Sequence, residues 1–287
     1  MAESLDQDTG VTLGTFWDHL DALRGTIIRI IGGIVLFAVV AFFFKDQLFS
    51  MVLAPQSDDF ITYRMVDRVS ESFLELTNEW LGDDSLDVGG EALLGVEPFR
   101  VKLISTQLSG QFITHIQVSI YAGLLVVFPY LLYELFRFVS PALYSNERRY
   151  ALRIVSSSYI MFMLGMALSY FLIFPLTFRF LGTYQVSGVV ENQIVLDSYI
   201  GTMMMLNLMM GIVFEIPILA LLFARMGFIS AQFMSRFRRH AIVILLIISA
   251  IITPTSDVVT LLLVALPMYL LYELSILLVR LTGRSRH

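Results

Sequence analysis

Long apolar stretches separated by charged segments dominate the pattern of this chain. A helix crosses the hydrocarbon core of a bilayer, about 30 Å thick, with roughly 20 apolar residues. Six stretches reach or approach that length: Ile27–Phe44, Val118–Phe138, Ile154–Phe178, Ser198–Ala224, Ala241–Thr253 and Val258–Val279. The strict alternation of apolar and polar residues that is typical of membrane β-barrels is missing from the sequence. The pattern therefore predicts an all-α integral membrane protein with six transmembrane helices.

The last two stretches are short, and prolines interrupt several of the others. The fifth stretch has only thirteen residues, and the charge-free part of the sixth has fifteen, so we predict short fifth and sixth spans. Four prolines lie inside the second, third, fourth and sixth stretches: Pro129, Pro175, Pro217 and Pro267. Because a proline removes a helix hydrogen bond and bends the helix, we expect a kinked bundle that is open on one side.

The distribution of charge predicts the orientation of the spans. Arginines cluster after the second, fourth and sixth spans, whereas Asp46–Lys102 carries twelve acids against four bases. Basic residues are retained on the cytoplasmic side of a membrane, and acids count for little. Both termini are therefore expected in the cytoplasm, with the loops after the first, third and fifth spans outside.

The chain is expected to form one membrane domain, residues 1–287, with two appended features. Residues 1–26 are predicted to be a cytoplasmic tail with an amphipathic helix, Thr15–Arg24, lying in the membrane interface. Residues 46–107 are predicted to be an external loop with an amphipathic helix of its own. Apolar residues recur in that helix every three to four positions: Ile61, Met65, Val69, Phe73, Leu76 and Trp80. The helix is either a solvated cap on the outer ends of the spans or a docking surface for an external partner.

Composition excludes several classes of protein. Hydrophobic residues make up 57% and charged residues 15% of the chain, against about 25% charged in a soluble domain. Cysteine is absent, which excludes disulfides and thiolate metal sites. The two lysines do not follow a glycine, and the four histidines form no metal-binding pair. A soluble enzyme and a nucleotide-driven pump are thus excluded, and no catalytic residue, metal, cofactor or nucleic-acid partner is predicted.

Glu215 is the most informative polar residue within the spans. A carboxylate near the middle of a membrane costs about 2.5–3.5 kcal/mol on insertion scales, so it usually faces a cavity or a polar partner. We consider either a functional polar contact beside Pro217 or a protonated glutamic acid that is hydrogen-bonded internally. A competing hypothesis is a proton-coupled secondary transporter or channel subunit, in which Glu215, Asp257 and Glu273 form a relay across the membrane.

Four short motifs in this order resemble the TatC family, the multi-spanning core subunit of the twin-arginine protein translocase. The resemblance covers nearly the whole chain and rests on four segments: His19–Arg24, Ser140–Tyr144 followed by Glu147–Arg149, Phe214–Pro217 and Thr253–Asp257. Each motif alone would be a weak signal. Together, in the right order and on the expected sides of six spans, they are specific.

The resemblance implies a function that composition does not. A TatC-like protein binds the twin-arginine signal peptides of folded cargo at the cytoplasmic face of the bacterial inner membrane. It then assembles with single-span partners of the TatA and TatB type, and with other TatC copies, among the membrane lipids. The proton-motive force drives export, and ATP is not used. The chain would therefore be a Sec-independent protein translocase subunit and not an enzyme.

The resemblance also implies which residues form the sites. The signal-peptide site would include the following side chains: Asp18, Asp21, Arg24, Leu143, Tyr144 and Glu147. Glu147 matches one of the two glutamates with which the family receives the arginine pair. The other glutamate falls on Ala22, so either Asp21 or Asp18 is expected to replace it. Partner docking within the membrane would involve these residues: Glu215, Pro217, Asp257 and Glu273.

Overall fold

The computed structural model describes residues 6–57, 59–66, 68, 102–139, 151–184, 192–253 and 257–284. Helices make up most of these residues. The α-helices are α1 (Asp6–Phe42), α2 (Lys45–Leu53), α3 (Gly110–Val139), α4 (Ala151–Leu168), α5 (Phe174–Thr183), α6 (Leu196–Val213), α7 (Ile216–Arg225), α8 (Ala231–Arg236), α9 (Arg238–Ile252) and α10 (Val258–Arg284). A π-helical turn, Ser169–Ile173, joins α4 to α5. Two strands of two residues each, β1 (Leu103–Ile104) and β2 (Ile194–Val195), pair in parallel.

Five segments of the described chain are long and apolar enough to cross a membrane. They are Leu23–Phe42, Gly110–Arg137, Ile154–Thr183, Leu196–Arg225 and Val258–Thr282. These segments correspond to the first, second, third, fourth and sixth predicted spans. The fifth predicted span is α9, whose 15 residues measure about 22 Å at 1.5 Å per residue. It is shorter than a hydrocarbon core of about 30 Å, as predicted.

The sixth span differs from its prediction. α10 has 27 residues, and 25 residues of it form a segment long enough to cross a membrane, so the expectation of a short sixth span is wrong. The charge-free residues before Glu273 are only part of this span. The helix itself continues through that residue, whose carboxylate pairs with Arg238 and Tyr269.

The first helix is continuous. α1 has 37 residues and is therefore about 55 Å long. The segment predicted to be a separate interfacial helix, Thr15–Arg24, is part of this helix and runs directly into the first span. The position of every residue in the N-terminal motif thus follows from the rotation of the first span about its own axis.

The chain packs as two compact units. One comprises Met1–Lys45 and His115–Val155, and the other comprises Asp46–Thr114 and Ser156–His287. Each unit has its own close helix–helix contacts, which are described separately below.

In the first unit, α1 and α3 pack in antiparallel order. The rings of Phe42 and His115 stack with 4.0 Å between their centroids. Further along the pair, a Cβ atom at Gly123 would lie 2.6 Å from the carbonyl oxygen of Ile34 and 2.7 Å from the amide nitrogen of Ala38. Because real Cβ atoms do not come this close, glycine is what lets the two backbones touch, as small residues do between membrane helices.

In the second unit, glycines bring α4 and α6 together from both sides. A Cβ atom at Gly165 would lie 2.5 Å from the carbonyl oxygen of Met210, and one at Gly211 would lie 2.5 Å from the ring of Phe162. Phe162 is fully buried at this contact.

An apolar cluster of the second unit lies between α7, α8 and α10. These residues are buried against one another there: Ala220, Met234, Ile276 and Val279.

Pro175 and Pro217 coincide with interruptions of the third and fourth spans. Pro175 lies in the first turn of α5, directly after the π-helical turn. In a regular helix the carbonyl oxygen of Phe171 would accept from the N–H of residue 175, which proline lacks. The hydroxyl of Thr62, from the loop after the first span, donates to that carbonyl instead. Pro129 and Pro267, by contrast, lie inside α3 and α10, which continue through them.

Tyrosine hydroxyls hold the described start of the 46–107 loop against the third and fourth spans. Tyr170 donates to the carbonyl oxygen of Met51 over 2.7 Å, and Tyr199 donates to that of Val52 over 3.1 Å. Tyr63 is buried and donates to the carbonyl oxygen of Pro55 over 2.9 Å. This part of the loop is therefore a cap on one end of those two spans.

The cap helix buries hydroxyl-bearing residues and exposes part of its apolar stripe. The structure describes a helix at 61–66, where Ile61 and Met65 are 56% and 61% exposed whereas Thr62 and Tyr63 are buried. Hydroxyl groups occupy the buried face because they pair with backbone carbonyls that the kinked third span exposes. The remainder of the predicted amphipathic helix, after residue 68, lies outside the described residues.

A single added methyl group tests the contact between α4 and α6. Gly165→Ala is expected to lower the stability by about 1–3 kcal/mol, the usual cost of overpacking, because its Cβ atom would collide with the backbone of Met210. Gly201→Ala is the matched control, since a Cβ atom there meets nothing within 4 Å. Thermal unfolding in detergent measures both variants. Equal melting temperatures for Gly165→Ala and the wild type would contradict this packing.

Candidate functional site

The carboxyl group of Glu215 lies at a break in the fourth span. α6 ends at Val213 and α7 begins at Ile216, with Pro217 in the first turn of α7. Because Pro217 has no N–H, the α-helix cannot continue unchanged past Val213, four residues earlier. The carboxyl group is 7% exposed, and its Oε2 accepts a hydrogen bond of 2.6 Å from the hydroxyl of Ser158 on α4.

The other oxygen of Glu215 is available for a further contact. Among the described residues, Oε1 of Glu215 has no hydrogen-bond partner although it is buried. Ile212 and Leu219, three residues before and four residues after it, are both exposed. A half-paired carboxyl group therefore lies behind an apolar surface that a neighbouring helix can cover.

A second polar cluster lies between α1 and α3 in the first unit. Glu134 is 5% exposed, and its Oε1 accepts a hydrogen bond of 2.8 Å from the hydroxyl of Tyr130, one helical turn earlier. From α1, Thr26 Oγ1 lies 3.4 Å from Oε2 and Arg29 Nη2 lies 3.7 Å from Oε1. This cluster was not predicted as a site from the sequence.

A cluster of the same composition lies between α9 and α10. Glu273 Oε1 accepts a hydrogen bond of 3.1 Å from the hydroxyl of Tyr269, again one turn earlier. Arg238, at the start of α9, donates to Glu273 Oε2 over 2.9 Å. The signal in the sequence is a repeated hexapeptide, since residues 130–135 and 269–274 both read Tyr-Leu-Leu-Tyr-Glu-Leu. In both copies an arginine from the preceding span approaches the glutamate.

The remaining predicted site residues divide into three groups. Asp21 and Arg24 lie on α1 and are exposed. Asp257 precedes α10, and its Oδ1 accepts from the backbone N–H of Thr260 over 2.6 Å, which stabilises the start of that helix. The side chains of Leu143, Tyr144, Glu147 and Asp18 lie outside the described part of the chain. Within that part, no group of three potential metal ligands lies close enough to hold an ion.

The chain matches one known protein family over most of its length. The family model described as Sec-independent protein translocase protein (TatC) matches residues 18–267. The chain belongs to the TatC family. The matched region includes all four motifs on which the resemblance rested, so the resemblance is confirmed. The chain is thus a multi-pass membrane protein of a transport family.

Individual relatives agree with this assignment. The TatC protein of Desulforapulum autotrophicum is 31% identical over 271 residues, which are 94% of this chain and 86% of that protein. The TatC protein of Blattabacterium is 29% identical over 91% of this chain and 93% of that protein.

Solved structures show the same fold. A crystal structure of the twin-arginine translocase receptor TatC has a TM-score of 0.68 and 30% identity, covering 92% of this chain and 99% of that one. A second crystal structure of that receptor, in the detergent DDM, has the same TM-score and identity and covers 91% of this chain. The predicted helical membrane fold is therefore confirmed as a TatC fold.

Removal of one hydroxyl tests the pairing of Glu215. Ser158→Ala is expected to lower the stability by about 1–2 kcal/mol, because it leaves the buried Oε2 atom without its donor. Ser156 on the same helix is exposed, so Ser156→Ala is the matched control and should melt like the wild type. Thermal unfolding in detergent checks both. A Ser158→Ala protein as stable as the control would show that the carboxyl group does not depend on this bond.

Proposed function

We propose that the chain is the receptor subunit of a twin-arginine translocase, which binds the signal peptides of folded cargo and recruits single-span partners. The observation that carries the proposal is the match of the TatC family model to residues 18–267. The likeness to the receptor crystal structure over 92% of the chain supports it. Transport would use the proton-motive force, in keeping with the lack of a nucleotide-binding motif in the sequence.

The proposed orientation has both termini in the cytoplasm of a bacterium, with the chain in the inner membrane. Arginines cluster after the second, fourth and sixth spans, which supports this orientation by the positive-inside rule. The cap formed by residues 46–66 would then face outward, and Asp21, Arg24 and Glu147 would lie on the cytoplasmic side. A signal peptide on newly made cargo reaches that side first.

Carboxylates are the appropriate groups for recognition of an arginine pair. A guanidinium group forms two parallel hydrogen bonds with a carboxylate, which the single ammonium of lysine cannot reproduce. We assign one arginine to Glu147, the residue that matches the family motif. Leu143 and Tyr144 of the same motif, and Arg24, would line the site.

Glu215 is proposed as the docking point for the single-span partner. The carboxyl group has one oxygen paired with Ser158 and one oxygen without a partner among the described residues. The exposed side chains of Ile212 and Leu219 beside it form an apolar surface. Hydrogen bonds between membrane helices average about 0.6 kcal/mol and reach about 1.7 kcal/mol. Such a bond positions a partner without holding it permanently, which suits assembly only when cargo is bound.

The contacts of the three carboxylates give no support to the proton relay. Glu215 pairs with Ser158, Glu273 pairs with Arg238 and Tyr269, and Asp257 caps the start of α10. Each contact has a local structural explanation. We therefore propose docking at Glu215 and assign Glu273 to holding α9 and α10 together.

Charge removal at Glu147 tests the receptor role. Glu147→Gln keeps the size of the side chain, so crosslinking to an Arg-Arg signal peptide is expected to fall about tenfold through loss of a charged hydrogen-bonded pair, while membrane insertion is unchanged. Asp197→Asn, an exposed change in the first turn of α6, is the control. Undiminished crosslinking in Glu147→Gln would remove Glu147 from the site.

Two substitutions at Glu215 separate docking from proton transfer. Glu215→Gln can still form a hydrogen bond, so partner crosslinking and export should stay near wild-type levels. Glu215→Ala cannot, so partner crosslinking should fall severalfold while signal-peptide binding is retained. A relay predicts equal loss of export in both variants, because glutamine cannot carry a proton. Equal loss would therefore overturn the docking role.

A further inference from the structure

Glu134 has hydrogen-bonding capacity that its contacts leave unused. An ionised carboxylate offers about four acceptor positions. Only the bond from Tyr130, at 2.8 Å, is short, while Thr26 at 3.4 Å and Arg29 at 3.7 Å are loose. The carboxylate is 5% exposed, and a buried carboxylate without full pairing is costly. A better-placed cationic donor would therefore bind here favourably.

The arginine that approaches Glu134 is easily displaced. The side chain of Arg29 is 56% exposed, and its guanidinium also donates to Thr26 over 3.1 Å. The equivalent arginine of the second cluster, Arg238, lies 2.9 Å from Glu273. Glu273 thus has a close cation at 2.9 Å, whereas the cation nearest to Glu134 is 3.7 Å away. Of two clusters with the same composition, only the one in the first unit can accept an incoming guanidinium at little cost.

The position of Glu134 relative to α1 connects it with the N-terminal motif. Residues 22, 26 and 29 are spaced by four and three and share one face of α1. Thr26, the middle residue, contacts Glu134. A Cβ atom at Gly25, the residue before Thr26, would meet nothing within 4 Å, so there is open space beside this part of α1. Glu134 therefore supplies a carboxylate to the α1 face on which residue 22 is alanine.

The neighbouring aspartate does not share this placement. Asp21 precedes Ala22 by one residue and so points about 100° away around the helix. It is exposed, and Thr26 is five positions further along. Residue 22 therefore lies closer than Asp21 to the helix face that contacts Glu134.

We propose that Glu134 accepts one guanidinium of the signal peptide's arginine pair, and that Arg29 covers this carboxylate until the peptide arrives. This rests on the receptor function proposed above. The exchange replaces one guanidinium with another, so the buried carboxylate has a cationic partner both before and after it. Lysine would make a poorer replacement, since an ammonium group cannot form two parallel bonds with the carboxylate.

Peptide binding to the full chain in detergent tests the proposal. The probes are two labelled synthetic peptides with the same apolar segment, one preceded by Arg-Arg and the other by Lys-Lys. Glu134→Gln is expected to bind the Arg-Arg peptide about tenfold more weakly, the effect of losing a charged hydrogen-bonded pair. It should also discriminate less against the Lys-Lys peptide. Glu273→Gln makes the same chemical change in the matching cluster and should bind the peptide like the wild type.

Two further variants separate peptide binding from a purely structural role. Arg29→Gln removes the competing cation, so it should bind the Arg-Arg peptide at least as tightly as the wild type. If the cluster only holds α1 to α3, Arg29→Gln and Glu134→Gln will weaken binding alike, which would overturn the proposal. Ala22→Glu added to Glu134→Gln should restore binding, because it returns a carboxylate to the same face of α1.

The outcomes also distinguish this inference from the proposed function. If the wild type does not retain the Arg-Arg peptide, the receptor function fails, and the role of Glu134 fails with it. If the wild type binds and Glu134→Gln binds equally well, only the inference about Glu134 is overturned. Loss of binding in Asp18→Asn combined with Asp21→Asn, together with normal binding in Glu134→Gln, would assign the arginine to the aspartates instead.

Discussion

A polar group inside a hydrocarbon core has no water to bond with, so its partner must come from the protein itself. This constraint explains most of the specific contacts in the chain. The hydroxyl of Thr62 donates to the carbonyl of Phe171 that Pro175 leaves without a helix donor. Ser158 donates to Glu215 beside the break in the fourth span, and Tyr130 donates to Glu134. In each of these three cases the donor is a hydroxyl from another turn or element.

The same constraint indicates where a ligand or partner can bind. A carboxylate that already has a close cation, such as Glu273 with Arg238 at 2.9 Å, has little to gain from a second one. Glu215 and Glu134 are almost completely buried, and Glu215 Oε1 has no partner among the described residues whereas Glu134 has one short and two long contacts. Incomplete pairing inside the membrane costs stability, and a docking helix or an incoming arginine relieves that cost. The two proposed sites are thus buried carboxylates that the described residues pair incompletely, at Glu215, or loosely, at Glu134.

Much of this arrangement follows from local sequence, and the rest depends on tertiary contacts. Apolar length predicts the spans, and the position of Pro217 predicts the break beside Glu215, because both are properties of neighbouring residues. The sequence predicts that the cap helix is amphipathic, but not that Thr62 and Tyr63 are its buried residues, since carbonyls of the third span determine which face is favoured. Glu134 was missed because Arg29 and Thr26, more than a hundred residues away in the chain, make its environment.

The contact at Gly123 has a consequence for the whole first helix. Because α1 is unbroken from Asp6 to Phe42, its residues turn together about a single axis. The backbone of α1 touches α3 at Ile34 and Ala38, and a turn of the helix would press a side chain against that point instead. The absence of a side chain at residue 123 therefore fixes the rotation of a helix about 55 Å long, and with it the rotational position of residues 19–24, about three to four turns before the contact.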